Sequence, residues 1–429
     1  MIASALFINS DRLNQSIEKL AQIGQVADGG VTRIAFSPED IAARNLVLNW
    51  MREAGMNVRI DAAGNIIGRY EGKQANFPAL ATGSHIDTVP NGGRYDGALG
   101  VLAGIEIVRT FKENNIRLEH SIEVIVFTDE ESTMIGSKAM AGTANNDLGN
   151  YRLADGKSIA ESLAKIGGDW DKLGRAKRDR SDIAAYIELH VEQGGILDNL
   201  NKQIGVVEGV VGAYRGMITV TGKANHAGTT PMEMRQDALV AASQIVLAVN
   251  DLGTKIPGNQ VATVGKFNVF PNATNIVPGQ VEMSVDIRDL SADHVKYLIT
   301  KLEQELIEIA SGTQTKITLK PYLWVDPTLA AVEIVKAIAN TCDRLGLSHH
   351  ILPSRAGHDA QEIGRFTDIG MIFVPSIEGI SHSPKEHTTP EQCTQGTNVL
   401  LQTFLQLDQI YSTQILHQSQ HPPANQFAG

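Results

Sequence analysis

Three groups of residues, the segment His85-Ile86-Asp87, the later Asp96 and the adjacent pair Glu130-Glu131, combine metal-binding side chains with a spare acid. Imidazole and carboxylate groups together suit zinc, manganese and related divalent ions. Hydrolysis by a metal pair requires a carboxylate that bridges the two ions and a further group that accepts a proton from water. These residue types therefore predict a two-metal hydrolase.

His85 and Asp87 stand in the segment Gly-Ser-His-Ile-Asp-Thr, where an extended backbone puts both side chains on one face. We expect the Asp87 carboxylate to hydrogen-bond the second imidazole nitrogen of His85 and so to fix its tautomer. Taken alone, the segment is more typical of a structural histidine at a strand end followed by a helix-capping aspartate. The assignment therefore depends on the other candidate ligands.

The carboxylates that follow carry more information. Asp96 comes after two glycines and can either bridge two ions or cap the helix predicted from residue 99. Glu130 and Glu131 are adjacent, and neighbouring carboxylates repel each other unless a cation or a proton separates them. The repulsion is removed if Glu131 binds a metal ion and Glu130 accepts a proton. The structural alternative is that both glutamates lie in a solvated loop and bind nothing.

Two further histidines complete a ligand set. His190 lies in Ile-Glu-Leu-His-Val-Glu, and His382 lies just beyond an apolar run. Each alone is more often structural, but together they divide the ligands between two ions, with open positions for water and substrate. The first ion has His85, Asp96 and His190, and the second has Asp96, Glu131 and His382. We expect two divalent ions per subunit: zinc, or manganese, cobalt or nickel.

The elements that must position these residues read as an α/β domain. Residues 79–82, 122–127 and 184–189 are short apolar runs, which predict buried strands of a helix-covered mixed sheet. Each run is followed at once by a candidate ligand. Ligands in open α/β sheets gather at the carboxyl ends of strands, so these residues can converge there.

The domain organisation is a catalytic domain interrupted by an insertion. Residues 211–324 show a strand, helix, strand, strand, helix, strand order, which predicts an inserted ferredoxin-like lid or dimerisation domain. Residues 1–210 and 325–412 form the two parts of the catalytic domain. Residues 413–429, rich in Gln, His, Pro and Asn, are expected to be a flexible tail.

Composition excludes several classes of partner. The 429 residues carry a formal net charge of −11 without a long basic run, which argues against nucleic acid or an anionic membrane. No stretch approaches the roughly 20 apolar residues of a transmembrane helix. The two cysteines, Cys342 and Cys393, are too few for a disulfide framework, and with no basic leader a cytoplasmic location is expected.

Seven ordered segments resemble one family, the M20-type metal-dependent amidohydrolases. Within it they are similar to the branch of N-carbamoyl-L-amino acid hydrolases, allantoate amidohydrolases and β-ureidopropionases. The segments are GSHIDTVPNGGRYDG, FTDEES, IELHVEQGG, NHAGTTPM, NIVPG, RAGHDA and GISHSP. Wider M20 peptidases usually have a carboxylate where this chain has His190, so that residue favours the carbamoylase-like branch.

The resemblance also implies substrate contacts. Arg288 resembles the guanidinium that binds the substrate carboxylate, and Asn275 the amide that contacts the same group. His226 resembles a histidine that reaches across from a second subunit to stabilise the oxyanion, which implies a homodimer. Gln193 and Gly357 match further substrate contacts.

The implied reaction is hydrolysis of a linear ureido or carbamoyl amide on a small carboxylated substrate. An N-carbamoyl-L-amino acid giving the L-amino acid, CO2 and NH3 ranks first. Allantoate and β-ureidopropionate are alternatives, and M20 aminoacylase or dipeptidase activity is a more distant one. A metal-loaded binding protein is the alternative from another class, although this chain lacks none of the expected ligands. The chain departs from the branch at Ser132–Ile135 and at Arg355, which border the expected pocket.

Overall fold

The computed structural model describes residues 6–153 and 156–420, with only the backbone described for 416–420. The chain forms two compact units. The first comprises the chain up to Gly209 and from Leu329 onward, and the second is Val210–Thr328. These divisions lie close to the predicted boundaries at 210/211 and 324/325.

The described helices are distributed over both units. In chain order they are α1 (Ser10–Ala21), α2 (Pro38–Glu53), α3 (Ala98–Glu113), α4 (Ile135–Ala141), α5 (Ile159–Lys165), α6 (Ile196–Asn199), α7 (Ala238–Thr254), α8 (Ala292–Thr313), α9 (Val332–Leu345), α10 (Asp359–Ile363) and α11 (Pro390–Gln420). Among these described helices, none is both long and apolar enough to cross a membrane.

The described strands include three short ones of two residues. In chain order the strands are β1 (Asn57–Ile60), β2 (Ile66–Tyr70), β3 (Ala79–His85), β4 (Ile122–Phe127), β5 (Ile183–Val191), β6 (Ile204–Val210), β7 (Gly212–Thr221), β8 (Asn225–His226), β9 (Val261–Thr263), β10 (Phe267–Phe270), β11 (Ile276–Val277), β12 (Gln280–Asp289), β13 (Lys316–Val325), β14 (Thr328–Leu329), β15 (His349–Ser354) and β16 (Asp368–Val374).

The first unit is built on a mixed sheet with the order β1-β2-β4-β3-β5-β16-β6, and β15 also pairs with β6. The four central strands β4, β3, β5 and β16 are mutually parallel. The flanking pairs β2 with β4 and β6 with β16 are antiparallel. The carboxyl ends of the parallel strands therefore meet at one edge of the sheet.

Strand β4 shows why this sheet needs helices on both faces. Val124 and Val126 pack into the main core with helix α3, while Ile125 and Phe127 point to the opposite face because side chains alternate along a strand. All four are at most 1% exposed. The predicted α/β class with a helix-covered mixed sheet is confirmed.

The second unit is an antiparallel sheet with the order β10-β12-β7-β13, and β9 also pairs with β12. Buried residues of α7 and α8 pack with this sheet in a separate core. Residues 261–270 form two short strands, β9 and β10, with an interruption between them. The interruption lies at Gly265, next to which the Lys266 amide donates to the Ser284 hydroxyl at 3.0 Å.

Helix α11 continues to Gln420, beyond residue 413, at which the tail was predicted to begin. Tyr411 is buried and its hydroxyl donates to Asp368 at 2.9 Å, which fixes the helix to β16. Polar residues are compatible with a helix that is already anchored, and the chain has no proline after Pro390 until Pro422. Residues 421–429 of the predicted tail lie outside the described residues.

Candidate metal centre

The candidate ligands lie where the central strands end. His85 is the last residue of β3, and two residues separate the end of β4 from Glu130-Glu131. His190 lies inside β5, one residue before its end, and so does not follow the strand as expected. His382 comes after β16. Because these strands are parallel neighbours, residues far apart in sequence are brought together at one edge.

Asp96 lies at the centre of this group. Its Oδ1 atom is 3.3 Å from Nε2 of His190 and 3.8 Å from Nε2 of His85. Its Oδ2 atom is 3.2 Å from Nε2 of His382, which in turn lies 3.5 Å from Oε2 of Glu131. Two ligand groups therefore form, and Asp96 belongs to both. They are His85, Asp96 and His190, and Asp96, Glu131 and His382.

Hydrogen bonds set the tautomers of two of these histidines. Nδ1 of His85 is 3.0 Å from the carbonyl oxygen of Asp87, and Nδ1 of His190 is 2.9 Å from that of Val191. A carbonyl oxygen can only accept, so each Nδ1 carries the hydrogen and donates it. In the neutral rings, Nε2 consequently carries the lone pair of a potential metal ligand and lies near Asp96; in His190 this Nε2 also accepts from the Gly97 amide at 3.2 Å.

The predicted role of the Asp87 side chain is wrong. Its carboxylate lies 3.8 Å from Nδ1 of His85, too far for a hydrogen bond, and the Asp87 backbone carbonyl makes that contact instead. The carboxylate accepts from the backbone amides of Glu130 and Glu131 at 3.4 and 3.1 Å. The chain turns after β3 ends at His85, which directs the carboxylate to the next loop. Asp87 thus orients His85 through its backbone carbonyl and the glutamate pair through its carboxylate.

The two glutamates differ in what they contact. Glu131 belongs to the second ligand group, and its Oε1 accepts from the Val89 amide at 3.2 Å. Glu130 belongs to neither of the two groups around Asp96, although its Oε2 lies 3.5 Å from Nε2 of His85. Its side chain is 11% exposed, and burial raises the pKa of its carboxyl well above the usual range. A carboxylate of raised pKa beside the ligands can accept a proton near neutral pH.

These side chains surround a cavity of about 240 Å³. Gln193 lines it, and its Nε2 donates to Oδ2 of Asp96 at 2.9 Å while its buried Oε1 has no hydrogen-bond partner. Gly357, Met134 and His358 also line the cavity. The cavity therefore contains two of the predicted substrate-contacting residues.

The donor set fits a pair of divalent cations. Imidazole lone pairs and carboxylates converge on one buried Asp96, and such groups repel each other without intervening positive charge. Mixed histidine and carboxylate ligands at this spacing suit zinc, manganese, cobalt or nickel. Gln193, whose buried Oε1 has no hydrogen-bond partner, lines the same cavity.

A third group of possible ligands, Glu188, His190 and His358, shares His190 with the first. Glu188 is already engaged, because it accepts from the hydroxyls of Ser84 and Tyr186 and from the Ala360 amide. His358 stacks edge-on against His190 with ring centroids 4.5 Å apart. His358 therefore packs directly against the ring of His190, and Glu188 holds the neighbouring hydroxyls and amide.

Glu386 is a functional residue that the sequence reasoning missed. It is 5% exposed, and its Oε1 accepts from the backbone amides of Tyr95 and Asp96 at 3.0 and 3.1 Å. Burial and the nearby Asp96 charge raise the pKa of its carboxyl to about 7. Its position four residues after His382 was the only available signal. Glu386 fixes the backbone that carries the shared ligand.

Gly97 is required by the same packing. Its φ is +63°, and a Cβ built there would lie 2.5 Å from the ring atoms Cε1 and Nε2 of His85. A side chain at this position would displace the His85 ring from Asp96. The glycine thus permits the close approach of the two ligands.

His226 and Asn275 lie together in the second unit. The short strands β8 and β11 pair His226 with Ile276, and the Ala227 amide donates to the Asn275 carbonyl at 2.9 Å. Nδ1 of the exposed His226 accepts from the amides of Gly228 and Thr229 at 3.0 and 3.2 Å. The hydrogen of the neutral ring is therefore on Nε2, which is available to donate.

Arg288 lies on β12 of the second unit, next to an acid. Its Nε and Nη2 atoms donate to the two carboxylate oxygens of Asp286 at 2.8 and 3.1 Å. Asp286 also accepts from Nε of Arg215 at 2.7 Å. Asp286 therefore holds the Arg288 guanidinium in a fixed orientation on the sheet.

Metal binding is expected to release protons. The hydrogen bond to Asp96 and the charge of Glu131 raise the pKa of His382 to about 9, so at pH 7.5 this ring is protonated in the metal-free protein. A metal ion needs the neutral ring. The affinity for zinc should therefore rise with pH up to about 9, and titration calorimetry in two buffers of different ionisation enthalpy should show proton release. The His382→Ala variant should release fewer protons than the wild type when zinc binds. A binding heat that does not depend on the buffer contradicts this assignment.

Comparisons with known proteins agree on one family. The model of Peptidase family M20/M25/M40 matches residues 81–406. The chain is 40% identical over 407 residues to an N-carbamoyl-L-amino acid amidohydrolase of Geobacillus stearothermophilus, covering 94% of this chain and 99% of that one. It is 35% identical to an allantoate amidohydrolase of Bacillus subtilis, covering 91% and 96%. A solved amidase of the hydantoinase/carbamoylase family from Burkholderia multivorans is 36% identical, with a TM-score of 0.88 over 94% of this chain and 98% of that one. The chain belongs to Peptidase family M20/M25/M40.

Proposed function

We propose that the protein hydrolyses the carbamoyl group of N-carbamoyl-L-amino acids. One water and one substrate molecule give the L-amino acid, CO2 and NH3. The observation that carries the proposal is the position of Glu130, which stands beside His85 but outside both ligand groups around Asp96. The 40% identity to an N-carbamoyl-L-amino acid amidohydrolase supports this substrate class.

The residues around Asp96 would hold two divalent ions, zinc or else manganese, cobalt or nickel. His85 and His190 complete one site, and Glu131 and His382 complete the other. When bound, the ions supply positive charge to the substrate carbonyl oxygen and lower the pKa of water.

Glu130 carries out the proton transfers. Its carboxylate accepts a proton from the attacking water and then delivers it to the leaving nitrogen. Among the described residues that line the cavity, no other acid lies outside the two ligand groups. The amides of Glu130 and Glu131 are held by Asp87, which keeps the base and the ligand beside it in register.

The second unit supplies the remaining contacts as a lid and dimerisation domain of a homodimer. Nε2–H of the partner subunit's His226 donates to the oxyanion, which its fixed tautomer allows. Arg288 and Asn275 bind the substrate carboxylate, and Gln193 and Gly357 contact the substrate in the metal cavity. The buried free cysteines Cys342 and Cys393 are typical of a reducing compartment, so we assign the activity to the cytoplasm.

Allantoate hydrolysis is the second candidate, since a relative of that name is 35% identical to this chain. β-Ureidopropionate is a third substrate with the same ureido and carboxylate groups. An aminoacylase or dipeptidase activity is a more distant alternative within the M20 family.

The substrate class is tested by kinetics on a panel at equal metal loading. We expect the highest kcat/KM for N-carbamoyl-L-amino acids, at least about tenfold above allantoate, β-ureidopropionate and N-acetyl-L-amino acids. Each competitor differs from the preferred substrate by at least one group, and a difference of one methylene already changes kcat/KM by roughly tenfold or more. Ammonia release measures all but the acetyl compounds, for which amine release is used. A higher kcat/KM for allantoate than for N-carbamoyl-L-amino acids selects allantoate hydrolysis. Activity on N-acetyl-L-amino acids alone selects an aminoacylase.

The role of Glu130 is tested by Glu130→Gln, which keeps the shape of the side chain but removes the base. We expect kcat to fall by roughly 10²–10⁴-fold, the usual contribution of a general base, while the metal content measured by mass spectrometry stays the same. Glu71→Gln, at an exposed glutamate outside the cavity, is the matched control. Turnover of Glu130→Gln within tenfold of the wild type contradicts the assignment.

A further inference from the structure

The loop between β4 and α4, which carries Glu130 and Glu131, closes on itself at its two ends. Asp129 comes directly before the two glutamates, and its carbonyl oxygen accepts from the backbone amides of Thr133 and Met134 at 3.2 and 2.7 Å. The Thr133 hydroxyl donates a further hydrogen bond to Oδ2 of the same aspartate. Backbone and side chain of Asp129 therefore tie together the two ends of this glutamate loop, residues 129–134.

Both ends of the glutamate loop have an unfavourable backbone conformation. The φ angles of Asp129 and Met134 are +56° and +54°, in the left-handed region that residues with a side chain rarely adopt. Such conformations cost free energy and persist only where the surrounding structure holds them. The hydrogen bonds across the loop supply that restraint, since they join its first residue to its last two. Without them both ends would relax, and the glutamates between them would move.

Thr133 ties the glutamate loop to its surroundings in three directions. Its hydroxyl donates to Asp129, which is 3% exposed, and accepts from the Ile135 amide at 3.3 Å. Its carbonyl oxygen accepts from Nζ of Lys138 at 2.8 Å, which joins the loop to helix α4. Thr133 belongs to none of the ligand groups found among the described residues and does not line the metal cavity. Its influence on the chemistry is therefore transmitted through the loop.

Asp87 alone does not fix the position of Glu130. The Glu130 amide donates to the Asp87 carboxylate at 3.4 Å, longer than a typical hydrogen bond, whereas the Glu131 amide does so at 3.1 Å. The Glu130 carboxylate lies 3.5 Å from Nε2 of His85, which is also longer than a typical hydrogen bond. The backbone of the glutamate loop must therefore place this carboxylate, and that backbone is held at its far end by Thr133.

We propose that Thr133 is a positioning residue for Glu130: it closes the glutamate loop on Asp129 and so holds the Glu130 carboxylate where it accepts the proton of water. The inference rests on the proposed function, in which Glu130 carries out the proton transfers. Removal of the Thr133 hydroxyl leaves an oxygen of the buried Asp129 side chain without its donor and frees the end of the loop. A displacement of about 1 Å at a catalytic group lowers turnover by roughly 10²-fold.

The first test is Thr133→Val, which removes the hydroxyl and keeps the shape of the side chain. With an N-carbamoyl-L-amino acid as substrate and every protein loaded with zinc, we expect kcat to fall at least about tenfold while KM stays within about twofold, because the base is misplaced and the substrate contacts are not. Thr133→Ser keeps the hydroxyl and should remain within about threefold of the wild type. Thr300→Val, at an exposed threonine on α8, is the matched control and should leave kcat unchanged.

A double variant separates the positioning of Glu130 from a general effect on stability. If Thr133 acts through Glu130, its loss has no base to misplace in Glu130→Gln, so adding Thr133→Val should change the residual turnover by less than about twofold. A merely structural role lowers turnover by the same factor in both backgrounds. Zinc content, measured by mass spectrometry, should not change, because Glu131 is also held by the Val89 amide and, through its own amide, by Asp87.

Lys138→Met covers a failure of Thr133→Val to fold. It removes the donor to the Thr133 carbonyl from a partly exposed position and keeps most of the side chain, so kcat should fall at least about threefold, again with no further loss in Glu130→Gln. Smaller losses in the folded variants, a loss of zinc, or equal losses in both backgrounds overturn the inference and leave the role of Glu130 intact. Turnover of Glu130→Gln within about tenfold of the wild type overturns the proposed role of Glu130 and this inference together.

Discussion

The position of the Asp96 carboxylate among three imidazole Nε2 atoms is the constraint on which the rest of the site depends. Two of the rings, His85 and His190, are held by backbone carbonyls so that their lone pairs face Asp96. Lone pairs and carboxylates gathered in a buried space repel each other, and only protons or cations remove that repulsion. The same arrangement that is unfavourable without positive charge therefore fits bound divalent cations, and Glu130 lies beside His85 but outside both ligand groups around Asp96.

The fold supplies this arrangement through the parallel centre of the mixed sheet. Strands β3, β4, β5 and β16 are buried on both faces, so their carboxyl ends form a rigid edge from which short loops deliver the ligands. The outer contacts complete the geometry: Asp87 binds the amides of the glutamate pair, and Glu386 binds the amide of Asp96.

Residue types and apolar strand patterns predicted the α/β class. They also predicted that the five candidate ligands lie close together, namely His85, Asp96, Glu131, His190 and His382. Apolar runs and the positions of strand ends were sufficient, because both are local properties of the sequence. The direction of the Asp87 carboxylate was not predictable, since it depends on the turn after β3. Glu386 was missed because a single glutamate in a loop has no local signature until its backbone partners are known. The length of α11 depended on the tertiary hydrogen bond of Tyr411 to Asp368.

The central claim is that Asp96 is shared by two ions. Anomalous diffraction from crystals grown with zinc, recorded on both sides of the absorption edge, tests it directly. The account predicts two peaks per subunit about 3.5–4 Å apart, each within roughly 2.0–2.2 Å of one Asp96 oxygen. His85 and His190 should bind the first ion, and Glu131 and His382 the second. A single peak at full occupancy, or two peaks of which only one contacts Asp96, would contradict it.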